Sequence, residues 1–198
     1  ATAEALETLL DSKPRAIQAW NDCPPLLLFT DGAVEENSNL VTHGAVLIDP
    51  WKQRSLFFGD HVPEPFVNLW KSSGKRQVIA QAEILPVLVS KDTWKDHLFG
   101  RSILWFLDND AARAALIRNF SPVMDNFFLL QLNVKMDTSI QARNWYNRVP
   151  SKSNPSDDAS RLEFGTYRNS EQCRPCYSTV LHEIDRFRKL KQKFEMGG

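Results

Sequence analysis

Two short apolar runs in this chain each end on an aspartate: Leu26-Leu27-Leu28-Phe29-Thr30 before Asp31, and Ile103-Leu104-Trp105-Phe106-Leu107 before Asp108. Runs this short and this continuous read as buried central strands of a sheet rather than as helices. A single Asp after a strand is a common turn starter, because its side chain bonds to backbone nearby. The pair says more. Ligands of open α/β sheets gather at the carboxyl ends of the strands. Two carboxylates set side by side there repel each other unless a cation lies between them.

The rest of the chain arranges itself around those runs. Residues 1–22 carry Ala5, Leu6, Leu9, Leu10, Ile17 and Trp20 at helical spacing, interrupted by Pro14 and stopped by Pro24-Pro25. Residues 43–48 and 54–59 form two more strands, which with the first predict an antiparallel meander. Residues 60–76, rich in Pro, Gly and charge, read as a connection. A helix is expected over 77–93, with Val78, Ile79, Ala82, Leu85 and Val89 on its buried side and a kink or irregular turn at Pro86. Asn109-Asp110 can cap a helix over 111–118. Another helix is expected over 122–132, a fifth strand over 143–149, a loop over 151–154 and a short helix over 155–162. Residues 165–176 read as loop and 177–194 as a basic helix. Strands separated by helices after an initial meander define an α/β layer protein.

Two more acidic positions stand out. Glu83 sits in the apolar stretch Val78-Ile79-Ala80-Gln81-Ala82-Glu83-Ile84-Leu85, beside the face expected to be buried. An exposed Glu on a solvated face is the plain alternative; a buried one needs compensation, which a metal would supply. Asp157 and Asp158 open a short helix, where acidic residues favour the macrodipole without any further role.

The phrases Leu28-Phe29-Thr30-Asp31-Gly32-Ala33, Gln81-Ala82-Glu83, Trp105-Phe106-Leu107-Asp108-Asn109 and Val149-Pro150-Ser151…Asn154-Pro155-Ser156-Asp157 together resemble the type 1 ribonuclease H family. The likeness is strongest to the domain attached to reverse transcriptases of tyrosine-recombinase-type retrotransposons. It covers about residues 24–164 and keeps the order Asp, Glu, Asp, Asp. It implies a ribonuclease H-like α/β fold: a five-stranded mixed sheet, the antiparallel meander plus parallel strands, flanked by helices. It divides the chain into an N-terminal helical extension (1–23), a catalytic domain (24–164) and a C-terminal loop with basic helix (165–198).

The same resemblance implies cleavage of the RNA strand of an RNA–DNA hybrid with two Mg²⁺ ions, or Mn²⁺ as substitute, leaving a 5′-phosphate and a 3′-hydroxyl. Asp31 would bridge both ions, Asp157 by motif register, with Asp158 as the alternative, would complete one, and Glu83 and Asp108 would hold the other. Substrate choice would rest on 2′-hydroxyls read across the shallow groove; the expected substrate contacts are the backbone at Gly32 and Ala33 beside Asp31, Gln81 and Asn109 in place of the family's amides, and Lys152 in the loop before Asp157. The implied partners are the hybrid and a reverse transcriptase domain of the same polyprotein, and the implied location is the cytoplasm or nucleus. Three positions depart from the family. Ser151-Lys152-Ser153 stands where many members place a His, Ile79 and Ala80 where polar amides precede the Glu, and Asp110 where Gln or Asn follows the second Asp.

Other features narrow the alternatives. Exonucleases of this fold carry Asp-x-Glu in the first strand, whereas this chain reads Asp31-Gly32-Ala33; integrases place their Glu last, whereas here it is second. A catalytically inactive module that binds nucleic acid or serves as a scaffold is the rival from another class, and the presence of all four carboxylates weighs against it. Lys plus Arg and Asp plus Glu number 24 each, so nucleic-acid binding would need a local basic face, such as the run 186–193. No run reaches the roughly 18 apolar residues of a membrane span. Ala1-Thr2-Ala3-Glu4 carries no secretory pattern, and the lack of an opening Met suits an excised domain. Three cysteines make no disulfide framework and suit a reducing compartment. Cys173-Arg174-Pro175-Cys176 with His182 has zinc-like spacing but lacks a fourth ligand, so ordinary loop cysteines are expected.

Overall fold

The computed structural model describes residues 23–35, 40–71 and 78–196, with side chains up to residue 189 in the last helix. The helix expected over 1–22 lies outside the described residues. The meander forms as expected: β1 (Leu26–Val34), β2 (Val41–Asp49) and β3 (Arg54–His61) pair antiparallel in sequence. β4 (Ser102–Leu107) pairs parallel with β1, and β5 (Arg143–Arg148) pairs parallel with β4. A sixth strand, β6 (Glu171–Gln172), adds parallel to β3, giving the order β5-β4-β1-β2-β3-β6. Two residues are too few to leave a periodic pattern, which is why the sequence shows only loop there.

β1 lies in the middle, where the apolar run placed it. Leu26 and Leu28 are fully buried and Leu27 and Phe29 half-buried, so one face of the strand is sealed more completely than the other. The sealing element is the second helix after β3. Within 60–76, read as connection, α1 (Glu64–Lys71) buries Phe66, Val67, Leu69 and Trp70. Pro63 and Pro65 suggested a loop, yet proline in a first turn suits a helix. Next, α2 (Ile79–Thr93) continues through Pro86 and is buried at every position from Gln81 to Lys91. It is covered on all sides because it lies between the sheet and another helix, so Ile79 is the exposed residue of the expected apolar set.

After α3 (Lys95–Leu98) and β4, α4 (Asp110–Arg118) starts on the cap offered by Asn109, whose Oδ1 accepts from Ala112 N at 3.0 Å. α5 (Met124–Ile140) outruns the expected 122–132 by two turns. Its second half carries polar residues outside that expected range, among them Asn133, which is buried against Lys91. The short α6 (Asp157–Ser160) lies on β1, β2 and β3. The last helix, α7 (Ser178–Met196), sends Val180, Ile184 and Phe187 into the same core, and Asp92 of α2 caps it through Thr179 at 2.6 and 2.8 Å. Among the described residues, no helix is long and apolar enough to cross a membrane.

Candidate metal centre

The register of β1 against β4 builds the site. Phe29 stands beside Phe106, with ring centroids 4.7 Å apart. Asp31 and Asp108 each follow that pair by two residues, so parallel pairing brings the carboxylates together at the carboxyl edge. Glu83 arrives from α2. That helix can press so closely on β1 because position 32 is glycine: a Cβ on Gly32 would lie 2.3 Å from the Ala82 carbonyl oxygen. Pro86, having no N–H, leaves that same carbonyl without its usual helical partner. The result is a trio, Asp31, Glu83 and Asp108, whose ligand oxygens all lie within 4.8 Å of one another.

Two of the three, Asp31 and Glu83, are buried, Asp108 is half-buried, and no cation of the described residues lies among them to balance their charge. Asp31 is 6% and Glu83 5% exposed. Burial, and then repulsion from Asp31 and Asp108, pushes the Glu83 carboxyl up to about 9, against the lowering effect of hydrogen bonds from Gly32 and Asn109. Burial also raises Asp31 to about 6, opposed by a hydrogen bond from Ser160 and assisted by Asp108 and Asp157. Glu83 Oε2 and Asp108 Oδ1 are buried without any hydrogen-bond partner. Three converging carboxylates with orphaned oxygens are the donor set a hard divalent cation prefers.

Asp157 has a different setting. It heads α6, its side chain is 35% exposed, and its Oδ1 is paired with Arg161 Nη2 at 3.0 Å. It is close enough to raise the Asp31 carboxyl but is not one of the three that converge. Features that sequence reasoning missed hold α6 in place. A Cβ on Gly44 would lie 2.4 Å from Ser160 N, and one on Gly59 would lie 2.1 Å from the Ala159 carbonyl oxygen. These glycines are cross-strand partners, and Gly44 pairs with Asp31 in turn, so a bare row across the sheet seats the helix beside the acid. Glycine inside two adjacent strands was the available signal. Asn154 Nδ2 donates to the Thr30 carbonyl at 3.2 Å, and the fully buried Ser160 donates through Oγ to Asp31 Oδ2.

The expected substrate contacts are spread in exposure. Lys152 is exposed, Ala33 and Asn109 half-buried, and Gln81 and Gly32 buried. Asn109 is engaged twice, as cap of α4 and as donor to Glu83. The cysteines are in ordinary contacts: Cys173 Sγ accepts from Trp94 Nε1 at 3.4 Å and Cys176 Sγ lies 3.2 Å from Ser178 Oγ. His182 faces Glu183 at 3.9 Å.

Solved structures resemble the fold of this chain. RNase H1 from the halophilic archaeon Halobacterium salinarum NRC-1 superposes with a TM-score of 0.55 at 17% identity, covering 71% of this chain and 98% of that chain. The N-terminal RNase H domain of rv2228c from Mycobacterium tuberculosis, solved as a fusion with maltose-binding protein, gives 0.52 at 14% identity, covering 68% and 94%. LC11-RNase H1 in complex with an RNA/DNA hybrid gives 0.43 at 14% identity, covering 69% and 94%. No family model and no curated protein sequence matches the chain. The likeness to the first two establishes the architecture: the protein has a ribonuclease H-like fold, with a sheet of six strands among the described residues rather than the expected five.

Proposed function

We propose that this protein is a metal-dependent ribonuclease H that hydrolyses the RNA strand of RNA–DNA hybrids, leaving 5′-phosphate and 3′-hydroxyl ends. The observation that carries the reading is the convergent trio Asp31, Glu83 and Asp108, two of them buried and two of their oxygens lacking any partner, at the carboxyl edge of this particular fold. Fold alone does not imply function; an uncompensated acidic cluster at its ligand-binding edge adds the chemistry. These three residues would hold Mg²⁺, or Mn²⁺ in its place, and Asp157 would join them for a second ion. When bound, such ions supply positive charge that lets the carboxylates ionise together and that draws electron density from a phosphodiester. Gly32 N–H and the Asn109 amide orient Glu83. Lys152, exposed on the loop before α6, suits a backbone phosphate of the hybrid, and Ala33 offers backbone beside Asp31. Gln81 completes the expected substrate set from α2. A reverse transcriptase domain in the same polyprotein and a retroelement setting, with action in the cytoplasm or nucleus, complete the reading.

One observation favours a second reading, a nucleic-acid-binding module without catalysis: Asp157 is paired with Arg161 instead of with the trio. Cleavage of an end-labelled RNA–DNA hybrid, tested with Mg²⁺, with Mn²⁺ and with EDTA, separates the two. The nuclease reading expects metal-dependent cutting of RNA only in the hybrid, abolished by Asp31→Asn. Hybrid binding with no cutting in either metal would establish the second reading.

A further inference from the structure

We infer that Ser160 is a positioning residue for Asp31 and thereby for the metal site; this rests on the nuclease reading above. Its side chain is fully buried and its Oγ meets Asp31 Oδ2 from a segment 129 positions away in the sequence. The same Oγ lies 2.8 Å from the Asp157 carbonyl oxygen, one turn back along its own helix. A hydroxyl has one proton to donate. Of these two acceptors the carboxylate makes the stronger, charge-assisted bond, so the donation goes to Asp31.

The geometry leaves little freedom for that bond. α6 rests on the bare row of Gly44 and Gly59, and any added carbon there would strike the backbone of Ala159 or Ser160. Tyr167 fixes the helix from the other side, its hydroxyl accepting from Ala159 N at 2.9 Å and donating to the Pro155 carbonyl. Ser160 therefore stands on a braced element and faces an acid on the central strand. Glu83 has Gly32 and Asn109 as donors; Asp31 also takes a bond from the Gly32 backbone, and Ser160 is its side-chain donor. Partners one step removed from a metal commonly set ligand orientation and affinity.

The test is Mn²⁺ titration by calorimetry on the full chain, comparing the native protein with Ser160→Ala, Ser160→Cys and Ser160→Thr. Circular dichroism and melting temperature establish that each is folded. The expected result is Mn²⁺ binding weakened about tenfold to a hundredfold in both the Ala and Cys variants. Cysteine fills nearly the same space but donates weakly, so a shared loss reports the hydroxyl and not a cavity. If Ser160→Ala does not fold, Ser160→Cys carries the comparison. Ser160→Thr keeps the hydroxyl and is expected to bind within about threefold of native. Unchanged affinity in the Ala or Cys variant overturns the positioning role and leaves the metal site standing. So does a Thr variant as weak as the others. A native chain that binds no Mn²⁺ overturns both this inference and the nuclease reading.

Discussion

One helix carries two buried charges with opposite circumstances. On α2, Glu83 and Lys91 lie eight residues apart, about 12 Å along the axis, and both are sealed from solvent. Lys91 is fully provided for. Its ammonium meets Asp137 at 2.5 Å, Asn133 at 2.5 Å and the Tyr146 hydroxyl at 3.4 Å, and lies 5.3 Å from the centre of the Trp105 ring. Burial alone would push this group down; Asp137 and Tyr146 hold it above its ordinary value. Glu83 has two acids as neighbours and an oxygen with no partner. Burial of charge is therefore not itself the mark of a site. What marks it is that the surroundings fail to complete the charge, leaving a set of oxygens whose missing partner must come from outside.

The sharpest way to break this contrast is to neutralise one member of each cluster. Asp108→Asn is expected to lower single-turnover cleavage of the hybrid on the order of a thousandfold, as loss of one charge-stabilising group does, while the metal-free protein melts no lower than the native one. Lys91→Met should do the reverse. Leaving Asp137 without its partner is expected to cost about 3–5 kcal/mol in urea unfolding, with the rate per folded molecule unchanged. If Lys91→Met slowed cleavage and left stability alone, the division between a structural and a functional cluster would fail.

Acidity sharpens the comparison without changing a contact. Glu83 holds its proton more tightly folded than unfolded, with a carboxyl raised from the usual range to about 9. The native state then binds more protons than the unfolded one between those values, so metal-free stability falls as pH rises through that window. Asp31, raised to about 6, adds to the fall at its lower end. Glu83→Gln is expected to flatten the slope and to raise metal-free stability at pH 8 by roughly 1–3 kcal/mol; thermal melts from pH 5 to 9 in EDTA measure it. A native protein whose stability rises across that range would mean that the trio is compensated within the chain. On the acid side His43, lowered by burial to about 3, acts oppositely: it resists charging, so stability is lost as pH falls from 6.5 toward 3.

The elements that spoke through sequence were those whose environment follows from chain-local pattern. The apolar runs before Asp31 and Asp108 announced central strands, and their parallel register then made the two acids neighbours. Glu83 could be singled out because a carboxylate in so apolar a helix demands an explanation. The polar half of α5 was illegible for the opposite reason. Asn133 and Asp137 are completed by Lys91 from another helix, a pairing across more than forty residues that no local period encodes. Ser160, Gly44 and Gly59 were illegible likewise, since their meaning lies in α6 descending onto a strand pair formed about a hundred residues earlier. α1 was hidden by its prolines, which spell loop to a local reading and first turn to the structure.

Between the completed and the uncompleted cluster stands a third case, the pair Asp157 and Arg161, which is completed but exposed. With side chains 35% and 60% exposed, the bond is worth roughly 0–1 kcal/mol, so Arg161→Ala is expected to leave unfolding in urea almost unaltered. Its effect should appear instead in Mn²⁺ affinity. Freed from the guanidinium, and with one positive charge removed from beside Asp31, Asp157 can turn toward the trio. Mn²⁺ should then bind a few times more tightly, roughly two- to fivefold, as expected when one partly screened carboxylate charge joins the site. The gain should vanish in Asp157→Asn,Arg161→Ala if the freed carboxylate is its source. A gain that survives the double substitution would assign the effect to the guanidinium charge alone. Asp157 would then belong with the paired charges of the surface, and the uncompleted cluster would end at three.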